Sequence, residues 1–129
     1  MKLLIIDSDS TRRQRLQALL FGLGIHRSEI ETIEHSNNVC NLLERTRYDC
    51  AIISSDLDSN TGLSLVKEIK TTNRVKNTPV ILFGPQKSAQ ELIEGAKAGV
   101  NGFLADPCSL GDVESVLAKY IRREPVSSL

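Results

Sequence analysis

The residues whose types could do chemistry lie in four short segments, each directly after an apolar run. The segments are Asp7-Ser8-Asp9, Ser54-Ser55-Asp56, Gly84-Pro85 and Asp106-Pro107. In an open parallel sheet such segments meet at the carboxyl ends of the strands, where ligands usually bind. Carboxylate oxygens suit hard cations, which makes Asp7, Asp9 and Asp56 candidates for a divalent-metal site. Asp7 and Asp106 should approach each other with no lysine between them, so we expect these groups to turn into solvent or to attract a cation.

Other kinds of active site have little support in the sequence. Neither GxGxxG nor GxxxxGK occurs, so no glycine-rich phosphate loop is predicted. A serine nucleophile lacks both a GxSxG turn and a well-placed histidine. The three cysteines show neither CxxC nor CxxH spacing, which argues against a disulfide framework and a zinc site. We therefore expect no enzymatic activity and no cofactor.

Composition restricts the partners that the protein could bind. The 129 residues carry 16 basic and 16 acidic side chains, so there is no net charge to favour nucleic acid or an anionic membrane. The amino terminus, MKLLIIDSDS, is too short and too quickly acidic for a signal peptide, and no apolar stretch approaches the length of a membrane span. We expect a cytoplasmic protein that binds neither nucleic acids nor membranes.

Continuous apolar runs predict the strands of a parallel sheet that is covered on both faces. The predicted strands are residues 3–6, 30–33, 50–53, 80–83 and 103–105. The run at 30–33 is the weakest and is typical of an edge strand. Alternation of strands with helices predicts a three-layer α/β sandwich with right-handed crossovers. One domain is expected over residues 1–123, followed by a loose tail at 124–129.

Apolar side chains at helical spacing predict five helices between and after these strands. They are centred on residues 16–23, 37–46, 62–70, 89–96 and 113–121. The second is expected to follow a Ser36 cap. Capping boxes, in which a serine and an acid three residues on satisfy each other's backbone N–H, are indicated at Ser88 and Ser109.

Four of these segments together resemble one known family. KLLIIDSDS, YDCAIISSDLDSNTGLSLVKEIK, TPVILFG and AGVNGFLADP match, in order and spacing, the CheY-like receiver domain of bacterial response regulators. The resemblance covers essentially the whole chain and implies a flavodoxin-like (βα)5 fold with strand order 2-1-3-4-5. It also implies two-component phosphorelay signalling. In that family a third-strand Asp accepts a phosphoryl group from a histidine kinase, and two acidic residues after the first strand hold Mg²⁺.

The acceptor position of the family falls on a serine in this chain. The acceptor typically lies six residues after the Tyr of a Tyr-Asp pair and eight before a Gly. Counting from Tyr48 and back from Gly62 gives the same residue, Ser54. A hydroxyl therefore stands where the resemblance implies a carboxylate.

Three more of the five chemical positions are altered. Asp7 fills the first acidic position, but Ser8 stands at the second. Gly84 replaces the Thr or Ser that follows the fourth strand, and Asp106 replaces the Lys before proline, which reverses the charge. Acceptor, second metal ligand, hydroxyl and cation are all lost, so we expect a pseudo-receiver that does not undergo the phosphotransfer of the family.

An alternative register makes Asp56 the acceptor. It requires a loop two residues shorter than usual and a third strand extended through Ser54 and Ser55. The chain would then be an active receiver that uses Asp56 with Mg²⁺, the one case in which a cofactor is expected. Otherwise Asp56 and Asp58 are solvated loop carboxylates.

Three further expectations accompany the resemblance. Phe103 stands at the position of the switch Tyr or Phe, and the peptide bond before Pro107 is expected to be cis. Arg12, Arg13 and Arg15 form a basic patch on the first helix, which we interpret as a solvated helix face.

The function expected is that of a signalling module that acts by contact with a protein partner or, as a homodimer, with itself. In receivers the usual docking face is formed by the fourth helix, the fifth strand and the fifth helix. Here that face is residues 89–99, 101–104 and 110–120.

Overall fold

The computed structural model describes residues 1–57 and 61–121 and contains one five-stranded parallel sheet. The strands are β1 (Leu3–Ile6), β2 (Ile30–Ile33), β3 (Cys50–Ser54), β4 (Val80–Gly84) and β5 (Gly102–Ala105). Their order across the sheet is β2-β1-β3-β4-β5, and every neighbouring pair is parallel. The predicted flavodoxin-like architecture is confirmed, and each strand begins and ends within one residue of its expected bounds.

Five α-helices pack against the two faces of this sheet. They are α1 (Ser10–Gly22), α2 (Val39–Arg45), α3 (Gly62–Thr71), α4 (Ala89–Ala98) and α5 (Leu110–Leu117). The capping boxes indicated at Ser88 and Ser109 are both present, so those two helix starts are fixed locally. The start of α2 is not as predicted. It begins at Val39 and not directly after Ser36, because Asn38 adopts a left-handed φ of 62° that cannot continue a helix.

Alternate side chains of each strand enter two separate apolar cores. Leu3 and Ile5 of β1 lie in the core under α1 and α5, whereas Leu4 and Ile6 lie in the core under α2 and α3. All four side chains are at most 1% exposed. Packing on both faces holds the carboxyl ends of the strands in a fixed relation, which is the requirement for a precise site at that edge.

Helix α4 lies differently from what its apolar stripe suggests. An amphipathic helix ordinarily turns its apolar stripe to the core, yet Leu92 is 40% and Ile93 is 49% exposed. The buried residue of this helix is Gly95. A Cβ atom on Gly95 would lie 2.5 Å from Cζ of Phe103, so the absence of a side chain lets the aromatic ring of β5 pack directly on the helix. The apolar stripe of α4 is left on the surface.

Two expectations concern parts of the chain beyond this core. Among the described residues, no helix is both long enough and apolar enough to cross a bilayer. The predicted tail at 124–129 and the last two residues of the expected domain lie outside the described residues.

Candidate functional site

The parallel sheet brings the predicted polar segments together at one edge. Asp7 directly follows β1, and Asp106 directly follows β5. Ser54 and Gly84 are the last residues of β3 and β4. The backbone N–H of Asp106 donates to the carbonyl of Gly84 over 2.7 Å, which continues the sheet past its last paired residues. Ser8, at the second acidic position of the family, is half-buried beside this edge.

The centre of the site is a buried ion pair that the sequence did not indicate. The guanidinium of Arg12 binds Asp7 with two hydrogen bonds, Nε to Oδ2 at 2.6 Å and Nη2 to Oδ1 at 2.7 Å. Asp7 is 1% exposed and the Arg12 side chain 14%. The bond to Asp7 raises the pKa of Arg12, and the negative charges around it act in the same direction. This planar, two-bond pairing is the strong form of an Arg–carboxylate contact.

The same guanidinium reaches Ser54, the residue predicted at the acceptor position. Nη2 of Arg12 lies 3.0 Å from Ser54 Oγ and 3.2 Å from the carbonyl oxygen of Asp56. Ser54 is 1% exposed. Its hydroxyl also donates to the Asp56 carbonyl at 3.1 Å and accepts from the Asp56 N–H at 3.2 Å. One donor and two acceptor positions are all that a hydroxyl has, so Ser54 is fully hydrogen-bonded.

The expectation of a solvated basic patch is wrong for the first two arginines. Arg12 turns into the site, and Arg13 donates to the backbone carbonyl of Asp7 at 2.6 Å and to Glu34 at 3.1 Å. The Arg13 side chain is only 13% exposed. Arg15, which is 57% exposed, pairs with Asp106 at 3.2 Å. The two site carboxylates therefore do not splay into solvent. Each has its own arginine from α1, because the first turns of that helix pass directly over the strand ends.

The other two carboxylates of the candidate metal set have separate surroundings. Asp9 caps α1, and its side chain accepts a hydrogen bond from the backbone N–H of Arg12. This hydrogen bond is the main reason why the pKa of Asp9 is below the ordinary value. Asp56 is exposed, and its hydrogen bonds to Ser54 and Arg12 use backbone atoms rather than the carboxylate. Within residues 1–57 and 61–121, no three His, Cys, Asp or Glu side chains are placed to hold a metal ion. Asp58 lies outside the described residues.

The space beside Gly84, where a side chain would lie, is filled by the hydroxyl of Ser55. A Cβ atom at this position would overlap Oγ of Ser55, and Nζ of Lys87 would be 3.5 Å from it. Lys87 is 12% exposed on its side chain and lies 3.8 Å from Glu91. Ser55, Lys87 and Glu91 line a cavity of about 450 Å³ next to the site. A hydroxyl is thus present near the fourth strand, but it comes from the residue after β3.

Of the remaining two predicted positions, Phe103 lies within β5 and Pro107 follows it. Phe103 is partly buried with its ring against Gly95 of α4, as described above. The peptide bond between Asp106 and Pro107 is cis.

Fold and site together define an open α/β module with a carboxylate cleft at the ends of β1, β3 and β5. The family model for the response regulator receiver domain matches residues 3–118. The chain belongs to this family.

Known proteins are similar to this chain over nearly its full length. The chemotaxis protein CheY-3 of Vibrio cholerae is 27% identical over 123 residues, which is 95% of this chain and 93% of the relative. Among solved structures, Vibrio cholerae CheY4 superposes with a TM-score of 0.80 at 23% identity, over 93% of this chain and 98% of that one. The receiver domain of the sensor histidine kinase PA1611 from Pseudomonas aeruginosa, which has a magnesium ion in its active-site cleft, gives a TM-score of 0.78 at 20% identity. It covers 92% of this chain and 95% of that domain.

The protein is therefore a receiver domain of two-component signal transduction. Receiver domains are signalling modules that work through contacts with other proteins, such as kinases and effectors, and generally not as enzymes.

Proposed function

We propose that this receiver signals in the cytoplasm by protein contact without aspartyl phosphorylation. The observation that carries the proposal is the state of Ser54, a buried hydroxyl at the acceptor position with all of its hydrogen bonds made. Phosphotransfer from a phosphohistidine in this family needs a carboxylate nucleophile at that place, and a hydroxyl needs a base to remove its proton. The proton of Ser54 is donated to a backbone carbonyl, which cannot act as that base.

The charges at the cleft support the same proposal. A phosphoryl group brings negative charge that must be met by a cation and hydrogen-bond donors. Asp106 puts a carboxylate where the family has a lysine, and Arg15 neutralises it. Nε and Nη2 of Arg12 already donate to Asp7, Ser54 and the Asp56 carbonyl. An incoming anion would therefore have to break these hydrogen bonds before it could accept from the same two atoms.

The residues at the cleft do not fit a magnesium ion. Mg²⁺ needs oxygen ligands at about 2.1 Å, normally with more than one carboxylate or phosphate among them. Here Ser8 and Ser54 are neutral, and both carboxylate oxygens of Asp7 already accept hydrogen bonds from Arg12, with a further one from the N–H of Asp9 at 3.0 Å. We propose that the protein uses no resident metal.

The proposed contact surface is the α4-β5-α5 face, residues 89–99, 101–104 and 110–120. Its support is the exposed apolar pair Leu92 and Ile93 on α4. Exposed apolar side chains that are adjacent on one helix are typical of interaction surfaces. The occupant is another protein or, in a homodimer, a second copy of this chain.

The phosphorylation half of the proposal is tested with acetyl phosphate and Mg²⁺, followed by mass spectrometry of the intact protein. We expect no phosphoryl adduct on the wild type or on the matched variant Asp56→Asn. An acyl-phosphate adduct on the wild type that disappears in Asp56→Asn would refute the proposal and establish the active receiver that uses Asp56.

The contact half is tested by complementing a deletion of the gene. Ser54→Ala should restore the lost phenotype, because the hydroxyl has no chemical role. Ile93→Arg should not, whereas Phe21→Arg should, since Phe21 is similarly exposed at 39% but lies on α1 outside the face. Sedimentation of the purified variants separates the two occupants. A dimer that Ile93→Arg dissociates is the homodimer, and an unchanged monomer indicates a different partner. Full function of Ile93→Arg would contradict this choice of surface.

A further inference from the structure

Three oxygen atoms from two chain segments, one after β1 and one at the end of β3, surround one nitrogen atom of the cleft. Nη2 of Arg12 lies 2.7 Å from Asp7 Oδ1, 3.0 Å from Ser54 Oγ and 3.2 Å from the Asp56 carbonyl oxygen. A carboxylate, a hydroxyl and a backbone carbonyl are the ligand types that hard cations take from proteins. The Nη2 group has two hydrogens for three oxygens, so its positive charge contributes to holding the set together. The arrangement is that of a cation site whose cation is part of the chain.

The charge of the cleft matches a monovalent cation. Asp7 supplies the one charged group among the three acceptor oxygens, because the Ser54 hydroxyl and the backbone carbonyl of Asp56 are neutral. A divalent ion bound by these three oxygens would leave one positive charge uncompensated in a site that is almost closed to water, which is costly. The single positive charge of the Arg12 guanidinium is balanced by Asp7 and leaves no charge uncompensated.

Local structure fixes this guanidinium in place. Arg12 is in the first turn of α1, where its own backbone N–H is held by the cap residue Asp9 at 3.0 Å. Its neighbour Arg13 binds the backbone carbonyl of Asp7. A guanidinium keeps its proton throughout the physiological range, and here Asp7 raises its pKa further. This cation can therefore be removed neither by dilution nor by titration.

We propose that Arg12 is the permanent cation of this receiver: its Nη2 atom takes the place of a divalent ion and makes the cleft independent of Mg²⁺. The proposal deepens the proposed function and rests on it for the absence of a resident metal. The proposal implies that the cleft would bind a metal ion if Arg12 were removed and residue 54 were a carboxylate. Neither change alone is sufficient.

The test is a calorimetric titration of Mg²⁺ into the wild type and four variants, each checked for folding by circular dichroism. The variants are Arg12→Ala, Ser54→Asp, the double variant Arg12→Ala/Ser54→Asp, and the matched control Arg15→Ala/Ser54→Asp. We expect binding by Arg12→Ala/Ser54→Asp at least about tenfold tighter than by any of the others. Ser54→Asp should not bind because Arg12 pairs with the new carboxylate. The control removes an arginine from the same helix but leaves the central one.

Two results would overturn the proposal. One is Mg²⁺ binding by the wild type or by Ser54→Asp as tight as that of the double variant. The other is a folded double variant with no gain. If the Arg12→Ala variants do not fold, the wild type alone decides by NMR. The Nε–H signal of Arg12 should exchange slowly and stay unshifted in millimolar Mg²⁺, whereas a fast-exchanging or Mg²⁺-shifted signal would overturn the assignment.

Failure of this proposal can be told apart from failure of the proposed function. Mg²⁺ binding by a wild type that takes up no phosphoryl group would remove the role of Arg12 and leave the phosphorylation-independent function intact. A phosphoryl adduct on Asp56 with the Arg12 signal unchanged would refute the phosphorylation-independent function and leave the role of Arg12 intact.

Discussion

Replacement of Arg12 by alanine should strongly destabilise the protein. It leaves Asp7, which is 1% exposed, without its charge partner. Removal of one member of a buried pair costs about 3–5 kcal/mol. We therefore expect a loss of about 3–5 kcal/mol in the free energy of unfolding at pH 7.

Urea unfolding followed by circular dichroism measures this loss. Arg15→Ala is the control, because its pair with Asp106 is largely exposed on the arginine side and contributes about 0–1 kcal/mol. A loss below about 1 kcal/mol for Arg12→Ala would refute a buried pair.

Three further predictions concern other parts of the fold. Gly95→Ala should destabilise the protein by about 1–3 kcal/mol in urea unfolding, because the new methyl group meets the ring of Phe103. In a Phe103→Ala background the same change should stabilise by up to about 1 kcal/mol through helix propensity, and equal effects in both backgrounds would contradict the contact. Cys50, whose pKa burial raises to about 12, should resist a thiol reagent at pH 8 until urea is added, and labelling at the rate of the other cysteines would exclude burial. The backbone N–H of Ser88 donates to Glu91 and lowers the pKa of its carboxyl. The charged Glu91 therefore stabilises α4 at pH values above the ordinary glutamate pKa, and this stabilisation is lost as the pH falls through the lower pKa of the folded protein. An NMR titration that gives the ordinary pKa for this carboxyl would contradict the prediction.

The fold was predictable because it depends on patterns that are local in sequence. Continuous apolar runs are sufficient to identify buried parallel strands, and all five occur where expected. Capping boxes likewise fix a helix start through residues three positions apart, as at Ser88 and Ser109. The start of α2 was missed because Asn38 has a left-handed backbone, and its sequence neighbours give no sign of it.

The centre of the site was predictable only in part. Residue types at the strand ends indicated that Ser54 and Asp7 would meet, but not what would neutralise Asp7. Arg12 lies five residues from Asp7 across a turn, a spacing that belongs to neither helix nor strand periodicity. A signal was nevertheless present, since a buried carboxylate without a lysine at position 106 needs a cation, and α1 carries three arginines close by.

The alterations at the cleft compensate one another, and this bears on how the site can change. A serine at position 54 accepts from Arg12 where a carboxylate would compete with Asp7 for the same guanidinium. Asp106 in place of a lysine is neutralised by Arg15, and the space at Gly84 is filled by the Ser55 hydroxyl. Three of the predicted site positions thus have a neighbour that supplies a hydrogen bond, an opposite charge or a filled volume. Under the proposed function, a single change at position 54, 84 or 106 would therefore disturb a contact that is already made.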